Sequence, residues 1–142
     1  MSALGLKIID EAVQTANIWV NEVNERTGWE DKERAYRLLR AVLHAVRDNL
    51  TPDEAADLGD QLPTLIRGIY YEAWNPSKTP KRIRKKDAFI EEVQKAFRTD
   101  PLGDPEIAIG AVLDVLDAHV SPGEMADVRG AFTKDVRELF AY

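Results

Sequence analysis

Asn49-Leu50-Thr51-Pro52-Asp53-Glu54 recurs, 70 positions on, as His119-Val120-Ser121-Pro122-Gly123-Glu124. Each copy reads as the stop of one helix and the capped start of the next. Thr51 or Ser121 takes the N-cap, where a hydroxyl accepts from a backbone N–H that has no partner inside the helix. Proline follows at the first helical position, where its missing N–H costs nothing. Glu54 or Glu124 stands three residues after the cap and reaches back to close a capping box.

Outward from these two motifs the chain reads twice. A helix over about 32–48 precedes the first, with Tyr36, Leu39, Leu43, Val46 and Leu50 three or four apart and Val42 beside them, a core-facing stripe. In the second copy Asp104-Pro105 opens the equivalent helix, and Ile109, Val112, Leu113, Leu116 and Val120 match that stripe. After Thr51 come Ala55, Leu58 and Leu62; after Ser121 come Met125, Val128 and Phe132. Pro63 kinks or divides the first of these helices, which continues through Leu65, Ile66, Ile69, Tyr70 and Trp74 until Asn75-Pro76-Ser77. Thr133 replaces Pro63, so the last helix is expected to run unbroken through Val136, Leu139 and Phe140.

Towards the N-terminus, Leu6, Ile9, Val13 and Ala16 have helical spacing. A break is expected near residues 15–17, followed by a helix from Ile18 to about Arg26 that faces the core with Trp19, Val20 and Val23. Gly28 is its left-handed stop. Asp87 is the expected cap of the matching helix, with Phe89, Ile90, Val93 and Phe97. The expected fold is all-α: a tandem duplication of a three- to four-helix unit packed into one helical bundle domain over residues 1–142. Repeat 1 spans about 17–74, a basic linker about 75–86, and repeat 2 about 87–142. Units this short bury their apolar stripes only by packing together.

A chain of 142 residues with 44% hydrophobic and 31% charged residues suits a soluble globular domain with a real core. No apolar run approaches the roughly 18 residues of a membrane span, and Met1-Ser2-Ala3-Leu4-Gly5 lacks the basic flank and apolar block of a signal peptide. The absence of cysteine excludes disulfides, thiolate nucleophiles and zinc–thiolate sites. A cytoplasmic location is the expectation. Net charge is −6, distributed as −5 over residues 1–72 (8 basic, 13 acidic), +6 over 78–86 and −7 over 87–142 (5 basic, 12 acidic). An acidic whole argues against general nucleic-acid binding.

Three groups of residues are candidates for function. Arg34, Arg37, Arg40, His44 and Arg47 share one sector of the helix over 32–48. Their counterparts 70 places on are Asp104, Ile107, Gly110, Asp114 and Asp117, so the same face is basic in one half and acidic in the other. Opposite signs suit pairing of Arg40 and Arg47 with the protein's own carboxylates; two unrelated solvated faces are the bland alternative. Lys78, Lys81, Arg82, Arg84, Lys85 and Lys86 either dock on phosphate or neutralise two acidic halves as a solvated linker, and no aromatic residue stands among them to stack on bases. Arg67, Tyr71 and Trp74, beside Tyr70, are residue types that dominate protein interfaces; the alternative puts Tyr70 and Trp74 in the core with Tyr71 at its rim. His44 and His119 have no second ligand at metal spacing, Ser2, Ser77 and Ser121 are explained by terminus, linker and cap, and no catalytic constellation is visible.

The runs Ala35-Tyr36-Arg37-Leu38-Leu39-Arg40-Ala41-Val42-Leu43-His44-Ala45-Val46-Arg47-Asp48 and Gln61-Leu62-Pro63-Thr64-Leu65-Ile66-Arg67-Gly68-Ile69-Tyr70-Tyr71-Glu72-Ala73-Trp74 resemble the bacterial family known as domain of unknown function 2267. The resemblance covers nearly the whole chain and implies an all-helical bacterial protein; it implies no activity, cofactor or site residue. The functional expectation is a non-enzymatic protein-interaction or scaffold module with no cofactor or metal, which associates with itself or with a protein partner and not with a membrane. The alternative is nucleic-acid or phosphate binding through 78–86 and the arginine stripe. A third reading is an enzyme of unknown reaction.

Overall fold

The computed structural model describes residues 5–140; Met1 to Leu4, with Ser2, and residues 141–142 lie outside the described residues. The elements in chain order are α1 (Lys7–Thr27), α2 (Lys32–Asp48), α3 (Pro52–Asp60), α4 (Thr64–Tyr71), α5 (Lys86–Gln94), α6 (Pro105–His119), α7 (Pro122–Gly130) and α8 (Lys134–Arg137). Single 3₁₀ turns occupy Pro76–Lys78 and Lys95–Phe97, and no strand occurs among the described residues. The fold is all-α.

Both motifs form as their chemistry dictates, with one difference. Thr51 Oγ accepts from Glu54 N–H at 3.2 Å while Glu54 Oε1 accepts from Thr51 N–H at 2.8 Å, a complete capping box. Ser121 Oγ accepts from Glu124 N–H, but the Ser121 N–H donates to Gln61 Oε1 at 2.9 Å instead of to Glu124. The second box is therefore half local and half supplied by the end of α3.

Several boundaries differ from the sequence expectation. α1 is one continuous helix with no break at 15–17, because no glycine or proline interrupts it before Gly28, which closes it at φ +69. Thr133 does not carry the last helix through. It sits at φ −67, ψ 162 as the N-cap of a separate α8, close to the −66, 159 of Pro63 before α4. The break at this position thus does not require proline; a side chain that accepts from Val136 N–H serves as well. Asp87 does not cap α5. The helix starts two residues earlier than that cap implies, at Lys86, and the Lys86 N–H donates to Asp135 Oδ2 of α8 at 2.6 Å, a cap supplied by tertiary contact.

The core runs through every helix. Leu39, Val42, Leu43, Val46 and Leu50 of the first stripe are buried, as are Ile109, Val112, Leu113, Leu116 and Val120 of the second. Tyr36 is the exception at 38% exposure, because the buried arc of α2 is centred further round, on Ala35, Leu38 and Val42. Helix contacts are reciprocal: α1 meets α6 and α5 meets α2, α2 meets α6, and α3 meets α7.

Leu43 and Leu113 are both fully enclosed. Either leucine to alanine should cost about 2–5 kcal/mol of unfolding free energy, and Thr51→Ala about 0.5–2 kcal/mol through loss of the cap. Urea denaturation of the three variants checks this ranking.

Candidate functional site

The arginine stripe of α2 is spent largely on the protein itself. Arg37 Nη1 reaches both carboxylate oxygens of Asp100, at 2.7 and 2.9 Å. Arg34 bonds the same carboxylate and the carbonyls of Asp100 and Pro101, and its guanidinium lies 3.8 Å over the Trp29 ring. The two arginines thus clamp the turn before α6 to α2, and hold the Asp100 carboxyl below its ordinary range, with Arg37 the larger cause. Arg40 pairs with Glu72 at 3.2 Å. Arg47 is buried at 3% exposure; it pairs with Asp48 and donates to the carbonyls of Tyr70 and Glu72 at 2.7 and 2.6 Å. Asp114 and Asp117, the acidic counterparts, do not meet this stripe: Asp114 faces Arg26 at 4.0 Å and Asp117 faces Arg129 at 2.6 Å.

His44 Nε2 lies 2.7 Å from the Ile69 carbonyl, so that nitrogen carries the proton. Burial lowers its pKa, and the neighbouring Arg47 and Arg40 lower it further against the opposing effect of this hydrogen bond. With Arg47 it satisfies the last carbonyls of α4, which ends at Tyr71. Ala73 then reverses the chain at φ +59. Trp74 is consequently not on the α4 face where its spacing put it. It returns to lie 5.3 Å from the Tyr71 ring, half-buried, with its indole N–H enclosed and without a protein partner. Tyr70 is core: its hydroxyl donates to the Ala55 carbonyl at 2.7 Å, and burial holds the phenol far above its ordinary range. Tyr71 covers Gly59, where any Cβ would collide with its hydroxyl. Arg67 donates to the carbonyls of Gly59 and Leu62, closing the end of α3. Arg67, Tyr71 and Trp74 therefore form a half-exposed cluster whose polar groups mostly serve the α3–α4 junction.

Where α3 crosses α7 a groove of about 280 Å³ gathers Glu54, Asp57, Glu124 and Asp127, two pairs at the 70-residue offset. Partial burial, then Asp57, Asp127 and Glu54, raise the pKa of Glu124. Among the described residues no three histidines or carboxylates are grouped to hold a metal ion.

The basic run 78–86 divides. Lys81 pairs with Glu92 at 3.1 Å, and Lys86 with Glu106 and Glu138 at 3.3 and 3.1 Å. Those two carboxylates raise the pKa of Lys86, Glu138 first. Lys78, Arg82, Arg84 and Lys85 are exposed and form no ion pair among the described residues. The segment is not a free linker, since Ile83 packs against the core and its N–H donates to the buried Asn49 side chain at 2.9 Å.

An exposed apolar surface lies at the start of α1, where Leu6, Ile9 and Val13 have helical spacing in the sequence. Leu6, Ile8, Ile9 and Val13 are 70, 69, 58 and 46% exposed, whereas Trp19 and Val23 of the same helix are buried. At 100° per residue Ile8 and Ile9 flank the sector of Trp19 and Val23 within about 40° and Val13 lies about 80° beyond it, while Leu6 precedes the helix as its N-cap. Helical spacing alone could not tell a buried stripe from one that outruns its partners.

Arg47→Ala would leave two carbonyls and Asp48 without their cation and should cost about 3–5 kcal/mol, against at most about 1 kcal/mol for Arg40→Ala on its exposed pair; denaturant titration separates the two. Glu124→Gln should raise the melting temperature at neutral pH. A raised carboxyl favours the protonated folded state, so stability contributed by that proton is present in acid and lost as pH rises through the folded pKa. The gain from the substitution should therefore shrink as pH falls.

No curated protein matches the chain. Residues 16–139 match an uncharacterised conserved protein family, domain of unknown function 2267, and that span begins where burial of α1 begins and ends inside the last buried cluster. With nearly its whole length matched, the chain belongs to the domain of unknown function 2267 family.

Proposed function

We propose that the protein is a non-enzymatic interaction module that engages another protein, or a second copy of itself, through the exposed apolar arc at the start of α1. The observation that carries this reading is the exposure of Ile8, Ile9 and Val13 in the first two turns of α1, with Leu6 exposed at its N-cap, on a helix whose later Trp19 and Val23 are buried in the core. Grouped exposed aliphatic side chains lose water favourably only against a partner, each worth up to about 1.5–3 kcal/mol on full burial. The arc lies ahead of the family-matched span, so it adds a surface to the common domain and leaves that domain's core intact. The partner this surface fits is an apolar helix face. The 70-residue recurrence of caps and the reciprocal helix contacts support reading the domain itself as a duplicated unit that serves as the rigid base.

The basic stripe and the cluster around Arg67, Tyr71 and Trp74 are weaker carriers, because most of their donors already hold carbonyls and carboxylates of the chain. No helix among the described residues is long and apolar enough to cross a membrane.

Ile9→Glu with Val13→Glu tests the proposal. Both sites are exposed, so unfolding free energy should change by no more than about 0.5 kcal/mol. Sedimentation velocity across a concentration range reads self-association, and capture with identification of the bound protein reads a foreign partner. The double variant should lose whichever association the unaltered chain shows. Identical behaviour of the two chains in both measurements would sink the reading.

A further inference from the structure

The exposed cations of the 78–86 segment are not equivalent. Arg82 and Arg84 border a groove of about 310 Å³ beside Thr51, Glu54, Pro80 and Thr133; Lys78 and Lys85 do not. The backbone that carries the two arginines is held on either side. Lys81 N–H donates to the Asp48 carbonyl at 2.8 Å, Ile83 N–H to Asn49 Oδ1 at 2.9 Å, and the Thr133 hydroxyl to the Arg84 carbonyl at 2.7 Å. Arg82 sits between these anchors at φ +57, a left-handed conformation that costs a non-glycine residue about 1–2 kcal/mol. A strained residue fixed between two anchors projects from a defined place, so less ordering remains to be done when its side chain binds.

The positive charge of the groove comes from these two arginines. Pro52 has no N–H and the Glu54 N–H is taken by Thr51 Oγ in the capping box, so of the first three residues of α3 only Asp53 keeps a donor for the groove. Neither guanidinium has an acceptor or a carboxylate partner among the described residues, unlike Arg34, Arg37, Arg40 and Arg47. Each presents paired N–H groups in a fork that matches two oxygens of a phosphate. Two forks at one groove suit a tetrahedral oxyanion with oxygens on several sides. No aromatic side chain lines the groove to stack a base, and the chain carries −6 overall, so a long nucleic acid is disfavoured. The volume lies at the small end of ligand sites.

We propose that Arg82 and Arg84 bind the phosphate group of a small phosphorylated molecule in the groove between the 78–86 segment, the start of α3 and the start of α8. Glu54 stands in the same groove with the sign of the ligand, and its charge sets a limit on affinity.

The test is calorimetric titration of the full chain with pyrophosphate and with inorganic phosphate, together with amide NMR shifts. Saturable binding with shifts at Thr51, Arg82, Arg84 and Thr133 is expected. Arg82→Ala with Arg84→Ala should weaken pyrophosphate by about tenfold or more, the scale of one or two charge-assisted hydrogen bonds. Lys78→Ala with Lys85→Ala removes as much charge outside the groove and should weaken it by less than about twofold. Glu54→Gln keeps an oxygen for the capping box, removes the like charge and should tighten binding. Arg82→Lys with Arg84→Lys retains charge without the fork and should still lose about threefold or more, which keeps the test decisive if the alanine pair perturbs folding. The proposal is overturned by an absence of saturable binding, by equal loss in the Lys78 and Lys85 pair, or by a lysine pair that binds like the unaltered chain. It is also overturned if single-stranded RNA binds with steep salt dependence and shifts spread evenly along 78–86.

Discussion

α6 is a helix of 15 residues with seven buried side chains, and such a helix cannot stand in water. Its Ile109, Val112, Leu113 and Leu116 are covered on one side by α2 and on others by α1 and α5. The same is true of α2, whose buried arc needs α1, α4, α5 and α6. Each half of the chain thus provides the cover for the central helix of the other. Neither half encloses its own stripe, which is the physical reason the two form one body.

Around that apolar exchange the charged side chains do a second kind of work. Arg34 and Arg37 hold the turn before α6 through Asp100, Arg47 and His44 hold the end of α4, and Asp135 starts α5. Most of these contacts satisfy backbone groups at helix ends, where four donors or four acceptors have no partner within the helix. Short helices have many ends for their length. A bundle built from helices of 8 or 9 residues, such as α3, α4, α5 and α7, therefore needs many such contacts. Arg47 supplies such donors at the end of α4 and Arg67 at the end of α3.

Two features are left over after that accounting. The first turns of α1 carry exposed aliphatic side chains, and Arg82 and Arg84 carry charge that no carboxylate among the described residues pairs with. One is apolar without a neighbour and the other charged without a counterion. They differ in chemistry, one calling for an apolar surface and the other for an anion.

Local chemistry was legible in the sequence wherever the cause was local. Caps at Thr51, Ser121 and Asp104, the stop at Gly28 and the buried stripes of α2 and α6 rest on residues within one or two turns of each other, and all formed. What only the tertiary structure decided is where the cause sits far along the chain. α5 begins at Lys86 because Asp135, 49 residues on, accepts its N–H. α4 ends before Trp74 because Arg47 takes its carbonyls from 23 and 25 residues away. Tyr36 and Val13 have the spacing of core residues yet lie exposed, since periodicity fixes the face of a helix but not whether another helix lies against it. For the candidate sites the division is the same: the sequence determined which residues carry charge or aromatic surface, and the fold, by pairing some and leaving others bare, decided which of them are free to bind.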